Sequence, residues 1–240
     1  MALDLDRIRL IIFDVLGTVV DDAGCATAEF EATIREITGK TGRGAELATG
    51  WLRHCDERTR SIAAGRADWL SMDDINYDAL VQAAAERHLD LPEPALRRLA
   101  GVQQRMIPWP DSVPALRSMS RRYPVVALSN ASLATLAEMS RHGSLPWNCV
   151  LSGELVHSYK PDPAVYAMAL RLLRATPDET LFAAAHPWDL GAAAATGIRT
   201  AYITRSVAGG APSSESFTLT VDDLNGLAER MSAEPPHPVR

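Results

Sequence analysis

The chain has 240 residues, 47% of them hydrophobic, enough to bury a good core in one large domain or in one domain carrying an insert. Its formal net charge is −6 and its 24 basic residues are scattered, so nucleic acid and anionic membrane are not expected as partners. The cysteines Cys25, Cys55 and Cys149 are far apart with no CxxC pair, no apolar run approaches a membrane span, and "MALDLDRIRL" lacks the order of a signal peptide. Disulfides, a zinc site and a membrane anchor are therefore not expected, and a cytoplasmic location is.

In chain order, the first apolar run is "RLIIFDV", which ends on Asp14 and is followed at once by Gly17 and Thr18. From Asp21 to about Met106 the pattern is helix after helix, with no convincing strand. "IPWPD" then punctuates a return to alternation, in which "PVVAL", "NCVLS", "TLFAAA" and "RTAYIT" read as short buried strands, most of them followed by a helical pattern. This predicts an α/β fold with a parallel sheet covered by helices on both faces, and a helical insert after the first strand. The boundaries expected are 1–20 with 107–231 for the sheet domain and 21–106 for the insert. The proline-rich tail, 232–240, is expected to be disordered.

Ligands of open parallel sheets bind outside the carboxyl ends of the strands. Four segments place polar residues there: Asp14 after "LIIF", Ser129 and Asn130 after "VVAL", Lys160 in "SYKPDPAVY", and His186 with Asp189 after "LFAAA". Any one of them alone reads as a turn or a helix cap. Their joint occurrence on one edge points to a site.

These segments resemble the haloacid dehalogenase superfamily, and within it the L-2-haloacid dehalogenases, over nearly the whole chain. "FDVLGTVVD" is similar to the family's first motif, "LSNAS" to its second, "YKPDPAVY" to its third and "AAAHPWDLGAAAATGIRTAYI" to its fourth. The resemblance implies a Rossmann-like three-layer α/β/α core with a helical cap domain. It also implies that Asp14 is a nucleophile attacking carbon, that Thr18, Ser129 and Asn130 bind the nucleophile or the substrate carboxylate, and that Lys160 holds the charges together. Leu16, Tyr166, Trp69 and Trp188 stand among the expected substrate contacts, and Asp189 with the catalytic group. A homodimer through the cap is implied by the resemblance alone.

A carboxylate is a weak nucleophile that gains from being held in line with its target by hydrogen bonds and a fixed cation. Attack would leave an ester on Asp14, and water must then hydrolyse it. Imidazole is the side chain most readily poised for proton transfer near neutral pH, so His186 is the candidate base, against a plain reading as a strand-end histidine bonded to backbone. Asp21 or Asp22 would orient His186 or cap the first helix of the insert.

Departures from the family pattern are informative too. Phosphatases of the superfamily resemble DxDGT at the first motif; here Leu16 stands in place of the second aspartate, which protonates a leaving alkoxide, whereas halide needs no proton. Ala184 and Ala185 precede His186 where an acidic magnesium ligand would stand, so a site without metal or other cofactor is expected. In "WLRHCDERTRSIAAGRADW" the family's halide-gripping arginine follows tryptophan directly. This chain has Leu52 there and Arg53 one step later, about 100° round the helix, so Arg53 substitutes only if the helix rotates or its side chain reaches round. Trp51, Trp69 and Trp188 are candidate walls of an apolar pocket. The expected activity is hydrolysis of a small halogenated carboxylic acid by water. The alternatives are a hydrolase with another leaving group, a phosphatase, and a catalytically idle binding protein.

Overall fold

The computed structural model describes residues 5–205 and 217–232. Among these, six strands form one sheet: β1 (Leu10–Phe13), β2 (Val125–Ser129), β3 (Cys149–Ser152), β4 (Thr180–Ala184), β5 (Arg199–Ile203) and β6 (Leu219–Val221). Their order is β3-β2-β1-β4-β5-β6 and every pairing is parallel. Ile11 of β1 lies opposite Val125 on one side and Leu181 on the other, so the strand that carries Asp14 is central. β6 escapes sequence reading because its three residues alternate buried, exposed and buried and make no apolar run.

Helices α1 (Asp22–Thr38), α2 (Gly44–Ala63), α3 (Met72–Glu86) and α4 (Glu93–Ala100) fall between β1 and β2. α5 (Ser112–Met119), α6 (Leu133–Gly143), α7 (Pro163–Leu173), α8 (Pro187–Ala195) and α9 (Leu224–Ser232) flank the sheet. The side chain of Asp21 accepts from the Gly24 N–H at 2.9 Å and so caps α1. Glu31 on α1 accepts from the N–H groups of Gly42, Arg43 and Gly44, satisfying donors that the start of α2 leaves open.

Because successive strand residues face opposite ways, the sheet separates two apolar layers. Ile11, Phe13, Val125 and Ala127 pack with α5, α9 and the helices of the insert, whereas Leu10, Ile12, Val126, Leu128 and Phe182 pack with α7 and α8. Trp51 belongs to the first layer: it is fully buried, meets Phe30 edge-on at 5.6 Å and donates its indole N–H to the Asn76 carbonyl at 3.1 Å. It is packing inside the insert, not a pocket wall. Ser232, the first residue of the expected tail, ends α9, and residues 233–240 lie outside the described residues. No described helix is long and apolar enough to cross a membrane.

Phe182 is fully buried, meets Tyr166 edge-on at 5.8 Å and lies 5.4 Å below the Lys160 ammonium. Phe182→Ala should cost about 3–5 kcal/mol, as truncated core aromatics do. Denaturant titration should show a lower midpoint at an unchanged slope.

Candidate active site

Asp14 leaves β1 with its N–H bonded to the Ala183 carbonyl of β4 at 3.0 Å, which aims its carboxylate over the sheet edge. Oδ1 accepts from Lys160 Nζ at 2.7 Å, and Oδ2 accepts from the Thr18 hydroxyl at 2.6 Å. The Thr18 hydroxyl in turn accepts from the Ala185 N–H at 2.8 Å. Lys160 Nζ also donates to Asp189 Oδ2 at 2.5 Å, and the other oxygen of Asp189 accepts from the Tyr166 hydroxyl. Asp189 lies in the first turn of α8, and Asp14, Lys160 and Asp189 are all buried.

One ammonium thus serves two buried carboxylates, and they respond differently. Burial pushes the Asp14 carboxyl up, but the Lys160 charge, the neighbouring His186 and the hydrogen bonds from Lys160 and Thr18 outweigh it and hold Asp14 below the usual carboxylate range. Burial also pushes Asp189 up, and with Lys160 shared and Asp14 nearby it stays above that range. Burial alone would lower Lys160, yet the two carboxylates raise it above its ordinary value. Burial and Asp189 push the Tyr166 hydroxyl up, so it remains a donor. Asp14 is therefore the more acidic of the two.

His186 reaches from the turn after β4 to the loop after β1. Its Nε2 lies 3.0 Å from the Leu16 carbonyl and 3.6 Å from Asp14 Oδ2, and its ring stacks on Trp188 at 5.8 Å. Both neighbours of Nε2 are acceptors, so that nitrogen carries the proton and Nδ1 is the free nitrogen of the neutral ring. Gly17 makes the approach feasible. Its φ is +73°, and a Cβ there would sit 3.0 Å from His186 Nε2 and 3.4 Å from Asp22 Oδ1. Asp22, whose carboxyl burial pushes up, therefore lies on the imidazole side of Gly17, while Asp21 is the cap.

The remaining expected residues divide. Asn130 clamps the Lys160 backbone, accepting its N–H at 2.7 Å and donating to its carbonyl at 3.2 Å. Ser129, buried at the end of β2, accepts from the Ala131 N–H at 3.2 Å. The half-buried side chain of Leu16 packs on the core. Trp188 flanks His186, and Trp69 lies 4.6 Å from the His157 ring. Arg53 is not brought in. Glu57 at 3.1 Å and Glu86 at 2.9 Å hold its guanidinium on the surface between α2 and α3, while Leu52 packs against the apolar core.

A supporting layer had not been expected. Arg205 donates to the Thr18 carbonyl at 3.1 Å and forms a two-pronged pair with Asp111 at 3.0 and 2.9 Å. The Ser112 hydroxyl bonds the Val19 carbonyl at 2.7 Å, and the Trp109 indole bonds that of Gly17 at 3.3 Å. Together they fix the Gly17–Val19 loop beside Asp14. The only signal in the sequence was "WPD", which reads as a breaker.

A model of the family described as haloacid dehalogenase-like hydrolase matches residues 8–197. The chain belongs to this family. It is 35% identical to the solved L-2-haloacid dehalogenase PA0810, over 95% of this chain and 100% of that one, with a TM-score of 0.88. The solved defluorinating L-2-haloacid dehalogenase Rha0230 is 28% identical over 94% and 95% of the two chains, with a TM-score of 0.86. The (S)-2-haloacid dehalogenase 4A of Burkholderia cepacia is 28% identical over 94% of each chain. The three-layer α/β architecture expected from the sequence is that of these haloacid dehalogenase structures.

Two outcomes are expected of this haloacid dehalogenase-like site. Gly17→Ala should cost only about 1–2 kcal/mol of stability from its positive φ, yet displace His186 and lower turnover well beyond that loss, read by denaturation beside an activity assay. Lys160→Met should destabilise by about 3–5 kcal/mol at neutral pH by leaving two buried carboxylates unpaired. Those carboxyls would then both titrate above their unfolded value of 3.8, so this variant should recover stability relative to the parent as pH falls towards that value. Unfolding midpoints at neutral and mildly acidic pH measure the difference.

Proposed function

We propose that the chain hydrolyses a small 2-halo carboxylic acid to the 2-hydroxy acid through an ester on Asp14. The observation that carries this reading is an ionised carboxylate at the sheet edge, held by Lys160 and Thr18, with a leucine where an acid would be needed to protonate a poorer leaving group. An Asp14 oxygen attacks C2 and the carbon–halogen bonding pair departs with the halide. Water then adds to the Asp14 carbonyl carbon, the acyl–oxygen bond breaks, and one proton passes to a base as the 2-hydroxy acid leaves. C2 is attacked once, so its configuration inverts.

His186 is the base in this reading, acting through Nδ1, because the Leu16 carbonyl holds the proton of the neutral ring on Nε2. Ser129 and Asn130 position Lys160 and the edge of β2, and Tyr166 holds Asp189. The segment 21–106 acts as a cap over the core formed by 1–20 and 107–231. The Tyr159 hydroxyl bonded to the Leu70 carbonyl at 2.6 Å, and the Ser132 hydroxyl bonded to Asp73 at 3.0 Å, tie it to the sheet edge. A phosphatase fits less well: Asp14 and Asp189 are both already engaged by Lys160 and make a thin set for a divalent cation, which wants several oxygen ligands.

Halide release from 2-chloropropionate or 2-bromopropionate, set beside phosphate release from a generic ester with magnesium, tests the reading. Halide release that survives a chelator is expected. Phosphate release that requires magnesium, with no halide released, would overturn it.

A further inference from the structure

The proposed reaction, on which this inference rests, poses a charge problem. Asp14 and Asp189 share the single Lys160 ammonium, so the buried set offers an arriving anion no spare cation. The substrate arrives as an anion, and turnover produces two anions, the hydroxy acid and the halide. A like charge approaching within a few ångströms through a low-dielectric wall is opposed by several kcal/mol unless a cation offsets it. Arg53 is not that cation, since Glu57 and Glu86 hold it.

Seven residues on, two helical turns and about 10 Å farther along α2, stands Arg60. Its guanidinium carbon lies 5.4 Å from the centre of the Trp188 ring. That ring stacks on His186, whose Nε2 is 3.6 Å from Asp14. Arg60 thus connects the insert to Asp14 through three successive contacts, by way of Trp188 and His186. Its Nε is held by both oxygens of Asp56, at 2.7 and 2.8 Å, one turn earlier on the same helix. Its Nη1 and Nη2 have no hydrogen-bond partner among the described residues, and the side chain is 47% exposed. A guanidinium against an indole is weakly hydrated and keeps its outer N–H groups in a fork that donates to a carboxylate or to a single halide. Trp188, 37% exposed beside His186, supplies the platform.

We propose that Arg60, seated on Trp188, is the binding residue at the mouth of the Asp14 site for a small monovalent anion, the substrate carboxylate or the departing halide. It stands at a different place on α2 from the family's arginine, whose position Leu52 fills.

Calorimetric titration of the intact protein with propionate, which has no leaving group, and separately with bromide, tests the assignment without turnover. A charge-assisted pair contributes about 1.5–3 kcal/mol, so Arg60→Gln should weaken the relevant anion by about tenfold or more, and Arg60→Lys should restore part of the loss. In kinetics on 2-bromopropionate the same change should raise KM, or weaken inhibition by bromide, with kcat much less affected. Weakened propionate binding identifies the carboxylate as the anion held, and weakened bromide binding the halide. Equal affinities for both anions in parent and Arg60→Gln, or no binding by the parent, would overturn the proposal. Absence of halide release by the parent would instead strike the functional reading.

Discussion

The Lys160 ammonium, shared at 2.7 and 2.5 Å by Asp14 and Asp189, is the constraint on which the rest of the site depends. A lone buried ammonium is costly, and a pair of buried carboxylates without one more so. The fold meets both demands by joining the loop after β1, the start of α8 and the segment before α7 at one point. Asn130 secures that point from β2 by clasping the Lys160 backbone from both sides. The carboxyl ends of the three adjacent strands β2, β1 and β4 are thereby tied together by hydrogen bonds around one cation.

The division between the two carboxylates follows from what each meets besides the lysine. Asp14 has Thr18 and the nearby imidazole and is the more acidic, whereas Asp189, fully enclosed, meets a neutral phenol. A nucleophile needs the first environment. The second suits a group whose task is to hold the lysine in place. Thr18 can serve Asp14 because Arg205 and Asp111 hold its loop, and His186 can approach because Gly17 offers no side chain.

Much of this was legible in the sequence, for a physical reason. A parallel sheet is buried on both faces, so five of its strands stand out as apolar runs, and the polar residue ending each run lies on the edge where ligands bind. Asp14, Lys160, His186 and Asp189 were found that way and do meet in space. What was not legible depends on side chains that sequence patterns do not aim. Arg53 and Arg60 lie on one helix, and only the positions of Glu57, Glu86 and Trp188 decide that the first is held on the surface and the second turns to the sheet edge. The Arg205–Asp111 pair joins residues 94 positions apart, with no motif at either end. Of the two readings of His186, the backbone bond is present, from Nε2 to the Leu16 carbonyl, and the same nitrogen lies 3.6 Å from Asp14; the role as base is the proposal made above.

The central claim is that Asp14, held ionised by Lys160, itself forms the bond to carbon. A single turnover in heavy-oxygen water, with excess enzyme over 2-bromopropionate and peptide mass spectrometry of the protein, tests it most directly. The account predicts one heavy oxygen in the peptide containing Asp14 and ordinary oxygen in the first hydroxy acid released. Heavy oxygen in that first product, with an unlabelled Asp14 peptide, would mean that water attacks C2 directly and would contradict it.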